Sequence, residues 1–128
     1  MDIEETETIQ KCSLHDNRAN IVMAVIVNTS NRIALVKSIK KEIKEKRIDT
    51  WIIDEDGDFQ HFTKSQQWES AWIRPVKKVG ESIEFAPVFE EGYKPSALDY
   101  GVIQGRFCEM LIGHFSDMID NVVITPIR

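Results

Sequence analysis

Cysteine, glycine, proline and long apolar runs are all scarce in this chain, and each shortage closes a class of explanation. Cys12 and Cys108 are the two cysteines. They stand far apart and match neither a zinc-ligand spacing nor a C-x-x-C, so two reduced thiols are expected and no disulfide frame or metal. The longest apolar run, Ile21 to Val27, has seven residues. A membrane span needs about 20, and the run lacks the basic leader and small-residue cleavage site of a signal peptide. A cytoplasmic protein without a membrane partner is the expectation. Six glycines and four prolines leave no low-complexity tract, long linker or internal repeat.

What is present fits one globular domain. The 128 residues are 42% hydrophobic and 29% charged, ordinary values for a chain that buries a single core. The net charge of −5 is unevenly spread. Between Arg32 and Arg47 seven Lys or Arg face only Glu42 and Glu45, so a basic segment sits in an otherwise strongly acidic chain.

In chain order, residues 1–20 are polar and acidic, with Ile3, Ile9 and Leu14 too sparse to bury a face; a flexible acidic arm is expected, followed by one domain over 21–128. Ile21 to Val27, five of its residues β-branched, reads as a strand buried on both faces. Asn28-Thr29-Ser30-Asn31 supplies cap residues, and Ile33, Val36, Ile39 and Ile43 then recur at helical spacing through Arg47. Thr50 to Thr63 reads as a hairpin turning on Asp56-Gly57, a pair suited to the positive φ of a type I′ turn. Lys64 to Ser70 offers one or two helical turns. Trp72 to Lys78 and Ser82 to Phe89 form a second hairpin, with Pro75 and Pro87 restricted to an edge or a bulge. Ser96, with Asp99 three residues on, caps a long helix whose stripe is Ile103, Phe107, Met110, Leu111, His114, Phe115 and Met118. Asn121 to Ile127 is a last strand. Strand, helix, antiparallel strands, helix, strand is an α+β order: a single mixed, mainly antiparallel sheet of five to six strands with two helices on one face. The first strand, helix and next strand are expected to form a parallel unit.

Four groups of residues bear chemistry. Asp54, Asp56 and Asp58, with His61 nearby, are oxygen and nitrogen ligands of the kind that hold a divalent cation. The EF-hand pattern fails, because Ile52 stands where its first acid belongs and Thr63 where its bidentate Glu belongs. A solvated turn is the simpler reading, and no metal is expected. Glu109, His114, Asp117 and Cys108 share the long helix, but Glu109 and His114 point about 140° apart and Cys108 lies about 9 Å along the axis from His114, so no Cys-His nucleophile forms. His114 falls in the apolar stripe and is expected to be partly buried. The Asn28 to Asn31 turn has the place of an anion site, yet it has no Gly and no Lys-Ser or Lys-Thr pair opening the helix, so capping accounts for it and no cofactor is expected. The fourth group is the basic helix face: Lys37, Lys40, Lys41, Lys44, Lys46 and Arg47, with Lys77, Lys78 and the rings of Trp51, Trp68 and Trp72 as further contributors.

That charge segregation suits a charged partner. The expected function is a small non-catalytic binding or regulatory module acting through Lys37, Lys40, Lys41, Lys44 and Arg47 on an acidic protein partner, ranked above nucleic acid because the whole chain is acidic. Two alternatives remain open: a metal-dependent hydrolase or nuclease built on the Asp/His cluster, and a structural homodimer. The triplet Glu42-Ile43-Lys44 matches a nuclease E-x-K in letters alone, since it lies on a predicted helix.

Overall fold

The computed structural model describes residues 10–11, 22–63 and 69–127. Its elements are β1 (Val22–Asn28), α1 (Arg32–Lys44), β2 (Trp51–Ile53), β3 (Phe59–His61), β4 (Ala71–Val79), β5 (Ser82–Phe89), α2 (Ala97–Phe115), a short 3-10 turn (Ser116–Met118) and β6 (Asn121–Ile127). The strands make one sheet in the order β2-β3-β4-β5-β1-β6. Every neighbouring pair is antiparallel, so the fold is α+β, and the expected mixed sheet is corrected. β1 and β2 do run the same way, but β3, β4 and β5 lie between them. The helix that joins them therefore crosses strands with which β1 is not paired in parallel.

Both helices cover one face. Leu35, Ile39 and Ile43 of α1 and Tyr100, Ile103, Phe107, Met110, Leu111 and Phe115 of α2 enter one core with Val25, Val27, Phe59, Ile73, Ile83 and Phe85. Phe107 sits at its centre, with ring centroids 5.4 Å from Trp51, 5.8 Å from Phe59 and 4.8 Å from Phe85. Such offset and edge-on pairs add to the area they bury. The buried row of α1 is Leu35-Ile39-Ile43, spaced by four, with Val36 partly buried. Ile33 lies 56% exposed, so it does not belong to the stripe expected from the sequence.

α2 opens with the expected capping box: Asp99 N donates to Ser96 Oγ at 3.1 Å and Ser96 N donates to Asp99 Oδ2 at 2.9 Å. His114 is exposed, against expectation. It continues the row Arg106-Met110-His114, spaced by four, at the margin of the buried face. Gln104 takes a place in the core instead and is fully buried. With its amide oriented to satisfy both neighbours, it accepts from Ala24 N at 3.2 Å and donates to Tyr100 O at 3.3 Å. Ala24 lies one residue before the β1–β5 ladder begins at Val25, so a helix side chain satisfies a strand amide where the sheet has opened.

Pro75 borders a bulge between Pro75 and Lys77, as its missing N–H predicts. Pro87 pairs with Ile73 and stands beyond Phe85, the last β5 residue with a partner in β1. The first hairpin differs from the expected two-residue turn. Ile53 pairs with Phe59, which leaves a five-residue loop, Asp54 to Asp58. Asp54 organises it: its Oδ1 accepts from Asp56 N and Asp58 N, each at 3.0 Å, and its carbonyl accepts from Gly57 N at 3.0 Å. Only Gly57 within the loop has positive φ, at 85°. Residues 64–68, including Trp68 and most of the helical turn expected over Lys64 to Ser70, lie outside the described residues. Among the described residues no helix is long and apolar enough to cross a membrane.

Candidate functional site

The basic candidates lie on α1. Asn31 caps the helix by accepting from Ala34 N at 3.0 Å, and Thr29 Oγ1 donates to Met118 O at 2.6 Å while accepting from Asn31 N at 3.3 Å. Asn28 Nδ2 donates to Asn121 Oδ1 at 2.6 Å. The polar side chains of Asn28, Thr29 and Asn31 are thus engaged in capping and in ties to the 3-10 turn and β6. At the other end Lys46 takes φ 63°, while Lys46 N bonds Ile43 O and Arg47 N bonds Glu42 O, closing the last turn.

Lys37, Lys41 and Lys44 are exposed and Lys40 is half-buried. Among the described residues none of the four makes an ion pair. Arg47 does: its Nε reaches Glu42 Oε1 at 2.7 Å, its Nη2 reaches Glu42 Oε2 at 2.8 Å, and Nη2 also meets Glu45 Oε1 at 2.5 Å. Those hydrogen bonds hold the Glu42 carboxyl below its ordinary range and raise the Arg47 guanidinium. Arg47, neutralised by its own helix, is thus set apart from four lysines that have no ion-pair partner among the described residues. The side chains of Lys77 and Lys78 fall outside the described residues.

Lys40 and Lys44, one turn apart, form a ridge between two depressions. Lys37, Lys40, Lys41, Lys44 and Glu45 surround one of about 340 Å³. The other, about 450 Å³, runs between α1 and the edge strand β2, lined by Lys40, Ile43, Lys44, Ile52, Ile53, Asp54, Glu55 and Gly57. Its floor is apolar, its near wall is cationic and its far end is acidic.

The aspartates form a separate structure. The Lys11 ammonium lies 2.6 Å from Asp54 Oδ2, 2.9 Å from Asp56 Oδ2 and 2.6 Å from Asp58 Oδ2, and 4.7 Å from the centre of the Trp72 ring. Arg74 grips Asp58 with two bonds of 2.8 Å. Burial alone would push the 1% exposed Asp58 carboxyl up; the bonds from Arg74 and Lys11 outweigh it and hold the group below its ordinary value. Burial would lower Lys11, but the three carboxylates raise it. The three carboxylates have oxygens within 4.8 Å of one another, close enough for a divalent cation, and the ammonium stands among them. Lys11 also bridges Glu90, and Glu91 N donates to Gln10 O at 2.6 Å, so residues 10 and 11 are tied to the sheet.

No family model, curated protein or solved structure matches this chain. Its functional reading accordingly rests on the geometry.

His61 does not join the aspartates. β3 alternates, and Phe59 faces Phe107 of α2, so His61 faces α2 as well, with its ring 5.2 Å from Trp51. Glu109 and His114 line the same cleft as His61, although their spacing along the helix suggested divergence. Cys108 is half-buried, and burial raises its thiol, which leaves it a poor nucleophile. Sequence reasoning missed Lys11, Arg74 and Arg106. For Arg106 a signal existed: Arg106, Glu109, Met110 and Gly113 follow i, i+3, i+4, i+7, one helix face. Lys11 and Arg74 reach the hairpin from 43 to 47 and 16 positions away, which no local pattern encodes.

Proposed function

We propose that the protein is a small non-catalytic binding or regulatory module that takes an acidic segment of a protein partner along α1. The observation that carries this reading is the set of four lysines, Lys37, Lys40, Lys41 and Lys44, without an ion-pair partner among the described residues of a chain whose net charge is −5. A protein that needed those charges only for solubility would gain by pairing them with its excess of carboxylates, as it does at Arg47. The groove beside β2 adds apolar surface through Ile43, Ile52 and Ile53. An extended segment laid there meets an exposed sheet edge, apolar pockets and a cationic wall, the usual elements of strand addition. Glu55 at the hairpin end repels negative charge, while Asp54 beside it is held by Lys11, so the acidic residues of the partner lie toward Lys37 and Lys41.

The test is a pull-down from the source cell at low and moderate salt, with wild type beside the variant in which Lys37, Lys41 and Lys44 are all replaced by Gln. These side chains point away from the core, so the variant should keep its fold and lose the partner. Raising salt should weaken the wild-type complex. Duplex DNA, measured alongside, would show a slope of roughly −3 to −4 in log affinity against log salt if all four lysines engaged phosphates; a shallower response is expected for a protein partner. Recovery of the same partners by both proteins at both salts would sink the proposal.

A further inference from the structure

We propose that the cleft between the β2–β3 hairpin and the C-terminal half of α2 is a second binding site, and that it takes a small zwitterion: a free amino acid with an apolar side chain. The cleft has a volume of about 380 Å³ and is lined by Thr50, Trp51, His61, Arg106, Glu109 and Gly113, among others. That size falls in the range of small-ligand pockets, about 300 to 1,000 Å³.

Three features select the ligand. The first is His61, only 8% exposed, which lines the cleft and makes no hydrogen bond among the described residues. Its ring nitrogens are not among the buried atoms left without a partner, so they open onto the cleft and can meet a ligand there. Burial, assisted by Arg106, lowers its pKa; a neutral ring offers one donor and one acceptor, and a zwitterion presents both counterparts. The second is charge balance. Arg106 and Glu109 stand side by side with a single contact of 3.3 Å and are 49% and 70% exposed. So loose a surface pair contributes little to stability; its members can exchange each other for the carboxylate and the ammonium of one ligand. An anion or a cation alone would leave one of them opposed. The third is shape. Met110 and Trp51 supply apolar wall, and Gly113 leaves open space, since a Cβ there would meet nothing within 4 Å. Histidine and carboxylate do not make this a metal site: among the described residues only Asp54, Asp56 and Asp58 bring three ligand atoms together.

The experiment is an NMR titration of the full chain that follows the ring of His61, the indole N–H of Trp51 and the methyl of Met110. The probes are L-leucine, L-phenylalanine, 3-phenylpropionate, which lacks the ammonium, and phenethylamine, which lacks the carboxylate. Saturable shifts at all three residues are expected with one or both amino acids, and about tenfold weaker binding of each truncated analogue, because each leaves one charged group of the site unmatched. Arg106→Gln and Glu109→Gln should each weaken binding of the amino acid by about tenfold. Gly113→Leu should fill the cleft and abolish binding, with a melting temperature no lower than wild type because Leu favours helix and meets open space. Absence of saturable shifts with both amino acids overturns the site. Equal affinity for 3-phenylpropionate or phenethylamine overturns the ligand class, and unimpaired binding by a folded Gly113→Leu overturns the location. The lysines of α1 play no part in this titration, so its result is independent of the partner proposed for them.

Discussion

Phe107 illustrates how one side chain can be worth a large share of the total stability. Three aromatic rings meet around it. Phe107→Ala should cost about 3 to 5 kcal/mol in urea titration, whereas Glu109→Ala, on the exposed side of the same helix, should stay within about 0.5 kcal/mol. Equal losses would contradict the packing. Two buried titratable groups set the response to acid. His61 has a lowered pKa, so its contribution is complete above the ordinary value of about 6.5 and is lost as pH falls from there through the lowered value. Asp58 is also lowered, so its contribution is present above about pH 3.9 and is lost at more acid pH. Chemical denaturation across pH should therefore show two declines on acidification. His61→Gln should remove the upper one and Asp58→Asn the lower, the latter at a cost of about 2 to 3 kcal/mol at pH 7 because Arg74 and Lys11 lose their charged acceptor. A flat profile for wild type between pH 6.5 and pH 3 would exclude this account.

At the scale of elements, α1 ends on a strained residue. Lys46 holds φ 63° at the place after the helix where glycine is usual. Lys46→Gly should raise stability by about 0.5 to 1 kcal/mol, the relief of the left-handed conformation less the greater freedom of the unfolded chain; a lower melting temperature would show that the lysine side chain supports the turn. The hairpin shows why some elements were legible in the sequence and some details were not. β-branched runs and the Ser96/Asp99 pair mark strands and a helix start through local chemistry, and they lie where expected. The hairpin was visible too, but its register was not: Asp56-Gly57 alone implies a two-residue turn, while Asp54 draws the amides of Asp56 and Asp58 onto its carboxylate and widens the loop to five. A side chain bonding to backbone two and four residues on competes with the turn dictated by glycine. His114, expected in the stripe, is exposed, and Gln104, outside it, is buried, for a similar reason. Periodicity locates a stripe but not its margins, and Gln104 is admitted because a strand amide, far away in sequence, needs it.

For the whole molecule, the charge pattern is governed by which cations are paired. Among the described residues Lys11, Arg47, Arg74 and Arg106 are paired with carboxylates and the lysines of α1 are not, so a net acidic chain still presents a cationic surface. The basic face was legible in the sequence as composition; its separation into paired and unpaired charges required the fold. Lys11 itself is tied to the hairpin and to Trp72. Lys11→Met should destabilise the protein by about 1 to 3 kcal/mol, since three neighbouring carboxylates lose their shared cation. Combining it with Asp54→Asn and Asp56→Asn should cost less than the separate effects together, as coupled sites do. Additive losses in a thermal or urea cycle would mean that the ammonium and the carboxylates act independently.

The position of β1 governs how the protein must come into being. Both of its neighbours, β5 and β6, are encoded far downstream, and its ladder with β6 joins Val22 to Ile127. Contacts of such long sequence separation slow folding to the millisecond-to-second range. During synthesis at about 5 to 20 residues per second, β1 emerges roughly 5 to 20 s before β6 exists. Until β5 is made this apolar strand has two open edges, and until β6 is made it has one; α1, the one element made directly after it, is the first part of the nascent chain available to shelter its buried face. An emerging chain stalled before Asn121 would leave one edge of β1 unpaired for as long as the stall lasts, in the state from which aggregation starts.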